Sequence, residues 1–242
     1  MLPTPPTTLS IQDRACVDLY WLPLGAGDAS RCVRWNGRIY EALAARYDRR
    51  EARDLYHSAL DVHVGADHFV IEMAPVWGNQ YDDRGVVSDG PVGLPWLGRS
   101  RFFRYEVRRW RNGSIPDVSE AVASPQRLSS DVVLARLVLE LVPAFPTVTW
   151  GRDEFRTGDM WNSNSLVAWL LARSGHETVP IEPPLHGRAP GWVAGLVVAA
   201  RQEDASRHPG AARQECPESV PTTESRGAHR GGLGHAEERG TS

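Results

Sequence analysis

The sequence predicts an α+β domain in which a small antiparallel sheet packs against helices. Apolar and polar residues alternate along residues 57–75, on both sides of Gly65-Ala66, which is typical of a two-stranded hairpin. Further along, apolar residues recur at helical spacing and predict a buried helix that contains Leu166, Val167, Leu170 and Leu171. The two periodicities in one chain indicate that strands and helices share a core.

The predicted hairpin has one apolar face and one polar face. We expect Val62 opposite Phe69, because a slip of one residue would turn one apolar row to the wrong side. Glu72 then lies opposite Ala59 and diagonal to His57, where Cα atoms are roughly 7–8 Å apart. A carboxylate at this position can fix the tautomer of the imidazole and stabilise its charged form. The alternative interpretation is a polar row on a half-solvated hairpin.

The predicted buried helix has a polar N-terminus. Ser163 lies among serines and asparagines that precede the apolar positions, and Gly175 stands where helices commonly end. A side chain in the first turn experiences the positive end of the helix dipole and free N–H groups, which favour a developing anion. Ser163 is therefore a candidate nucleophile. The alternative interpretation is a cluster of capping residues with a structural role.

The same signals predict the remaining elements. Residues 15–24 are predicted to form a strand, and residues 38–53 a helix with its apolar positions on one side. Ser130-Asp131 is predicted to cap another helix. Residues 78–98 are rich in Gly, Pro and Asp and predict a long loop, and residues 192–200 are predicted to close the core.

Length and composition predict one domain. The chain has 242 residues, of which 41% are hydrophobic, and a net charge of −3, which suits a single sizeable core. We expect a flexible N-terminus at residues 1–12, a folded domain at 13–202 and a disordered tail at 203–242, which has hardly an apolar residue. No stretch approaches the roughly 18 apolar residues of a transmembrane segment, and no signal pattern begins the chain. The predicted location is cytoplasmic.

Neither the cysteines nor the tail histidines predict a metal site. Cys16, Cys32 and Cys216 lack the spacing of a zinc site or a disulfide framework, and the histidines of the tail are scattered. The GAG at residues 25–27 is too short for a dinucleotide fingerprint, and no other glycine-rich phosphate loop is present. We therefore expect no metal and no other cofactor.

Arginine and aromatic residues interleave between residues 99 and 111. Such a stretch can hold nucleic acid through phosphate contacts and base stacking. The sequence pI of about 6.2 indicates no overall basic field, and the stretch ends at Asn112-Gly113, a hairpin turn signal. A solvated strand is the favoured interpretation, and we expect no nucleic-acid partner.

The hairpin and the start of the buried helix carry the residues of one known family in the same order. His57 in HSALDV matches the first histidine of that family, and Glu72 in VIEMAP falls at its second polar position. Ser163 in NSNSLVAWLL falls on the nucleophilic cysteine of the family. The two blocks resemble the circularly permuted branch of the NlpC-type papain-like superfamily, which includes lecithin retinol acyltransferase and the H-Rev-type acyltransferases.

The resemblance implies a permuted papain-like domain and acyl transfer or hydrolysis of an amide or ester. The substrate would be a small, lipid or peptide-like molecule. In the implied mechanism Ser163 attacks a carbonyl, His57 takes and returns the proton, and Glu72 orients His57. Serine must lose its proton during the attack, whereas the thiolate of the family forms beforehand. The alternative function is therefore a catalytically inactive binding module that keeps the cleft. The oligomeric state is not predicted.

Overall fold

The computed structural model describes residues 14–25, 41–47, 49–76 and 84–208 of the chain. These residues form a largely antiparallel sheet with helices packed against it. The predicted α+β class is therefore confirmed at this level. The finer expectation of a permuted papain-like arrangement stays a prediction.

Seven strands form the sheet: β1 (Ala15–Pro23), β2 (Asp54–Val64), β3 (Asp67–Pro75), β4 (Val86–Pro91), β5 (Arg104–Arg111), β6 (Val122–Ser129) and β7 (Gly187–Arg188). Their order is β4-β5-β3-β2-β1-β6, with β7 paired to β2. The pairings among β1 to β6 are antiparallel, and β7 runs parallel to β2. The predicted hairpin of β2 and β3 thus occupies the middle of the sheet.

The hairpin of β2 and β3 has the predicted register. Val62 lies opposite Phe69, and His63 lies opposite His68. Gly65 in the connecting turn has a φ of 63°, a left-handed conformation that favours glycine because a side chain there would be strained. The alternation of apolar residues therefore predicted the strand pairing correctly.

Four helical segments accompany the sheet: α1 (residues 41–47), α2 (Val132–Leu141), α3 (Ser163–Arg173) and α4 (Trp192–Arg207). The predicted cap of α2 is confirmed, because the Asp131 side chain accepts hydrogen bonds from two N–H groups of the first turn. Gly175, with a φ of 83°, follows the end of α3 as predicted. The predicted buried helix is α3, in which nine consecutive residues from Ser163 to Leu171 are buried.

The two faces of the sheet bury different side chains. One face packs against α2, α3 and α4 and carries Leu60 and Val62 of β2, and we call it the helical face. The opposite face, which we call the open face, carries a smaller cluster that includes Leu22, Ala59 and Val70. Because side chains alternate along a strand, even-numbered residues of β2 face the helices and odd-numbered ones face away.

Helices α3 and α4 approach each other closely at Gly195. A Cβ at this position would lie 2.4 Å from the carbonyl oxygen of Ser165 and 2.9 Å from the Cβ of Ala168. No other residue fits without moving the helices apart. This contact holds the segment that precedes α4 against the N-terminus of α3.

Three predictions about individual segments are wrong. Residues 84–98 of the predicted loop contain β4 and a 3-10 helix, Pro95–Arg99. The predicted tail begins too early, because α4 continues to Arg207, which pairs with Glu203 one turn before it. The predicted solvated strand, β5, lies between β3 and β4, and its Arg108 is only 2% exposed.

Other predictions concern residues outside the described ranges. They concern the flexible N-terminus at residues 1–12, the cysteines Cys32 and Cys216, and the part of the tail from residue 209 onward. Of the predicted helix at residues 38–53, residues 41–47 are helical. Among the described helices, none combines the length and the apolar character that crossing a membrane requires.

Candidate functional site

Ser163, the predicted nucleophile, is the first residue of α3 and is 5% exposed. The side-chain oxygen of Asn162 accepts hydrogen bonds from the N–H groups of Asn164 and Ser165, at 2.9 and 3.4 Å. In return the Ser165 hydroxyl accepts from the Asn162 N–H at 3.1 Å, which completes a capping box. These N–H groups are therefore engaged by the cap instead of being free to stabilise an oxyanion.

Asn164 ties the start of α3 to the sheet. Its side-chain oxygen accepts from the Ser58 hydroxyl at 2.8 Å. Its amide donates to the carbonyl oxygens of Tyr56 at 2.9 Å and Pro190 at 2.8 Å. A buried polar group left unpaired costs about 1–3 kcal/mol, so these bonds hold the helix in place. The polar residues at this helix start have the structural role that was the alternative interpretation.

The structure does not bring Ser163 together with His57 and Glu72. Ser58 contacts α3 on the helical face, so its neighbour His57 points to the open face, where it lies opposite Leu22 of β1. Glu72 also belongs to the open face, because the residues on either side of it are part of the helical-face core. The sheet therefore separates the predicted base and its orienting carboxylate from the predicted nucleophile.

Glu72 and His57 share a face as predicted, but their surroundings differ. Glu72 Oε1 accepts a hydrogen bond from Arg108 Nη1 at 2.6 Å, and Arg108 also donates to Glu106. Burial raises the pKa of Glu72, and the Arg108 guanidinium offsets part of this effect. Burial lowers the pKa of His57 to about 4, and no described residue hydrogen-bonds its ring. Glu72 therefore neutralises Arg108 and does not orient His57.

A different group of side chains converges on the open face. Asp61, His63 and His68, which we call the hairpin cluster, place three ligand atoms within 4.8 Å of one another. Asp61 and His63 alternate onto one face of β2, and His68 of β3 lies directly opposite His63. The two imidazole rings stack with their centroids 4.6 Å apart and an interplanar angle of 16°. The short turn of the hairpin thus holds both rings beside the Asp61 carboxylate.

Both histidines place Nε2 close to the same oxygen, Asp61 Oδ1. The distances to this oxygen are 3.1 Å from His63 and 2.8 Å from His68. Asp61 Oδ1 and His68 Nε2 are nevertheless buried atoms without a hydrogen-bond partner, because the short contact lacks the alignment of a hydrogen bond. Unpaired buried polar atoms cost roughly 1–3 kcal/mol each. A ligand bound between these atoms would remove that cost.

Two of the three separations between the donor atoms of the hairpin cluster suit a bound metal ion. Ligand atoms 2.0–2.1 Å from a tetrahedral zinc ion lie about 3.3 Å from one another. The separations of 2.8 and 3.1 Å are close to that value. The side chains are 19% exposed for Asp61, 29% for His68 and 46% for His63, so solvent reaches one side of the cluster. His63 is thus the ligand of the hairpin cluster that is most open to solvent.

Strand β1 adds polar side chains beside the hairpin cluster. Cys16 lies opposite His63, and Asp18 lies opposite Asp61. Two carboxylates that face each other across strands repel, and Arg127 relieves the repulsion by pairing with Asp18. Burial and the nearby Asp18 carboxylate raise the pKa of the Cys16 thiol. Asp18 is therefore engaged by Arg127, which leaves Asp61 as the carboxylate available to the histidines.

The hairpin cluster was not predicted, although the predicted register of β2 and β3 builds it. Pairing Val62 with Phe69 places His63 opposite His68, and alternation places Asp61 on the same face. The expectation of no metal rested on cysteine spacing and on the histidines of the tail. The signal that could have found the site is a pair of histidines opposite each other across a predicted hairpin, with an aspartate two residues away.

No protein-family model, curated protein or solved structure matches this chain. The resemblance to the permuted papain-like superfamily therefore stays a prediction. The candidate site is the hairpin cluster, which is defined by its geometry in this structure.

Proposed function

We propose that this protein binds a divalent transition-metal ion, zinc first among them, through Asp61, His63 and His68. The observation that carries the proposal is the convergence of two imidazole nitrogens on one carboxylate oxygen, at 3.1 and 2.8 Å. An ion bound between these atoms would satisfy the buried nitrogen and oxygen that now lack partners, and it would neutralise the carboxylate.

The donor set favours zinc and its neighbours among the metals. Imidazole nitrogen suits Zn²⁺, Co²⁺, Ni²⁺ and Cu²⁺. Ca²⁺ and Mg²⁺ prefer oxygen ligands, and the hairpin cluster offers them one carboxylate only. We therefore expect zinc to bind in the presence of a large excess of magnesium.

Three protein ligands leave at least one position on a zinc ion for water or substrate. This pattern is typical of catalytic zinc sites, whereas structural zinc sites commonly have four protein ligands. A zinc-bound water has a pKa of roughly 7, so it can act as a nucleophile at neutral pH. Solvent access through the exposed His63 side chain is consistent with this use. The proposed chemistry is therefore metal-assisted hydrolysis at the open face.

The zinc affinity of metal-free protein, measured by competition with a chromophoric chelator, tests the proposal. We expect the wild type to bind one zinc ion per chain. His63→Ala and His68→Ala each remove a direct ligand, so each should weaken binding by more than the roughly 10–100-fold that outer-shell partners contribute. Asp61→Asn should weaken binding in the same direction, because an amide oxygen carries no charge. Circular dichroism checks that each variant remains folded.

His57→Gln is the matched control, because it removes a histidine from the same face of β2 outside the hairpin cluster. Ser163→Ala removes the nucleophile that the sequence resemblance implies. Neither substitution should change zinc affinity, and hydrolysis of an activated ester should require zinc and His68 but not Ser163. Unchanged zinc affinity in a folded His63→Ala/His68→Ala double variant would overturn the proposal. Metal-independent hydrolysis that requires Ser163 would favour the serine mechanism instead.

A further inference from the structure

Four large apolar side chains are exposed within one short stretch of the chain. They are Leu94, Trp96, Phe102 and Phe103, with exposures of 38%, 65%, 65% and 43%, and we call them the apolar tip. Single exposed apolar residues are common on protein surfaces, but clusters of this kind mark interaction sites. The apolar tip is separate from the hairpin cluster in sequence and lies at the β4 end of the sheet.

The apolar tip belongs to ordered backbone. Two successive 3-10 helices, Pro95–Arg99 and Arg101–Phe103, carry its aromatic side chains and contact each other. The N–H of Val92 donates to the carbonyl of Phe103 at 2.8 Å, which joins the two ends of the stretch. The N–H of Ser100 donates to the carbonyl of Leu97 at 2.9 Å, which closes the first helix. The fold therefore presents these rings to solvent from a fixed platform.

Two exposed arginines lie within the stretch that carries the apolar tip. Residues 91–105 contain no Asp or Glu. Arg99 and Arg101 are exposed, and within the described part of the chain neither forms an ion pair. Arg104, which follows them, pairs with Asp89 of β4. The surface of the apolar tip therefore combines exposed rings with two guanidinium groups that have no acidic partner among the described residues.

An open pocket of about 380 Å³ lies beside the apolar tip. Its lining includes Arg99 and the ion pair of Arg104 with Asp89. A guanidinium group binds phosphate oxygens with favourable geometry. Because Asp89 pairs with Arg104, Arg99 is the arginine of this lining that we expect to meet the phosphate of an amphiphile whose acyl chains contact the exposed rings.

We infer that the apolar tip and its arginines dock this protein on an anionic phospholipid membrane. Trp and Phe insert at the boundary between headgroups and acyl chains, and arginine beside them is attracted to anionic headgroups. Leu94 favours a lipid surface over nucleic acid, because an aliphatic side chain offers no ring for base stacking. The overall net charge of −3 likewise gives no general attraction to nucleic acid, whereas the charge at the apolar tip is locally positive.

Vesicle co-sedimentation of the full chain tests this inference. We expect binding to vesicles of equal parts phosphatidylcholine and phosphatidylserine, little binding to phosphatidylcholine alone, and weaker binding as salt is raised. Arg99→Gln/Arg101→Gln should weaken binding about 25-fold, since each arginine near such a surface contributes about fivefold. Trp96→Ala/Phe102→Ala should weaken it by more than about tenfold through lost apolar burial.

Leu185→Ser is the matched control, because Leu185 is 87% exposed but lies outside the apolar tip. This variant should bind vesicles like the wild type. Equal binding of the wild type and both double variants, or no binding to anionic vesicles, would overturn the inference. Sedimentation velocity without lipid tests whether a second copy of the chain, instead of a membrane, binds the apolar tip. A dimer that dissociates in Trp96→Ala/Phe102→Ala, with no vesicle binding by the wild type, would assign the surface to a second copy of the chain and overturn it too.

Discussion

His57 and Asp61 lie on the same face of β2, yet their neighbours give them different properties. Asp61 is 19% exposed, and two histidine nitrogens lie within 3.1 Å of one of its oxygens. His57 lies opposite Leu22, in the apolar cluster of the open face. A carboxylate beside two imidazoles can share an ion with them, whereas a histidine among apolar side chains is held neutral. The residue types alone therefore do not show which of these side chains can share an ion and which is held neutral.

The desolvation of the His57 ring predicts a loss of stability in acid. Its pKa is about 4 in the folded protein, against an ordinary value of 6.5. Between these values the unfolded chain binds a proton at His57 and the folded chain does not, so the free energy of unfolding falls as the pH is lowered from about 6.5 to about 4. The loss should approach about 3 kcal/mol.

Urea unfolding at several pH values, for the wild type and for His57→Gln, measures this effect. The difference in unfolding free energy between the two proteins should change across that pH range, because their other titrating groups are the same. Parallel pH profiles for the two proteins would show that His57 titrates alike in the folded and unfolded states.

At the scale of elements, an ion pair joins β3 to β5. Glu72 and Arg108 are directly opposite each other in the register, and both are nearly fully buried. Arg108→Met should lower the free energy of unfolding by about 3–5 kcal/mol, because it leaves a buried carboxylate without its partner. Adding Glu72→Leu should recover part of this loss. Urea unfolding measures both changes, and a loss below about 1 kcal/mol for Arg108→Met would contradict the account.

The hairpin and α3 could be predicted from sequence because each has a complete local pattern. The apolar row of Val62 and Phe69 specified the register, and the start of α3 has a polar cap. The same binary pattern argued against the predicted triad. A buried helix packs on the apolar row of a hairpin, whereas His57 and Glu72 belong to the other row. The packing therefore places His57 and Glu72 on the face of the sheet that is turned away from Ser163.

Strands β4 and β6 lacked a pattern that could be recognised in the sequence. Both lie at the edges of the sheet, where one side of the strand faces solvent. Most of their residues are exposed or partly exposed, and β6 contains Pro125, so neither has a clear alternation of apolar side chains. Their positions depend on contacts distant in sequence, such as the pairing of Trp21 with Val122.

At the scale of the whole molecule, the last turns of α4 hold to other parts of the described chain. The Trp169 indole donates to Gln202 at 2.8 Å, and Arg201 donates to the carbonyl of Phe155 at 2.7 Å. A chain ended after Ala200 loses both bonds and should melt about 5 °C lower. A chain ended after His208 should melt like the full-length protein, because the tail has too few apolar residues to form a core.

Differential scanning calorimetry compares these two truncated chains with the full-length protein. Equal melting temperatures for all three chains would contradict the role of α4. A large drop for the chain ended after His208 would instead show that the tail contributes to the folded domain.

The most direct test of the central claim is an anomalous difference map from crystals of the zinc-loaded protein, recorded at the zinc absorption edge. We expect one peak on the open face, about 2.0–2.1 Å from Nε2 of His63, from Nε2 of His68 and from a carboxylate oxygen of Asp61. A map without a peak at the hairpin cluster, or with the ion bound only by other residues, would contradict it.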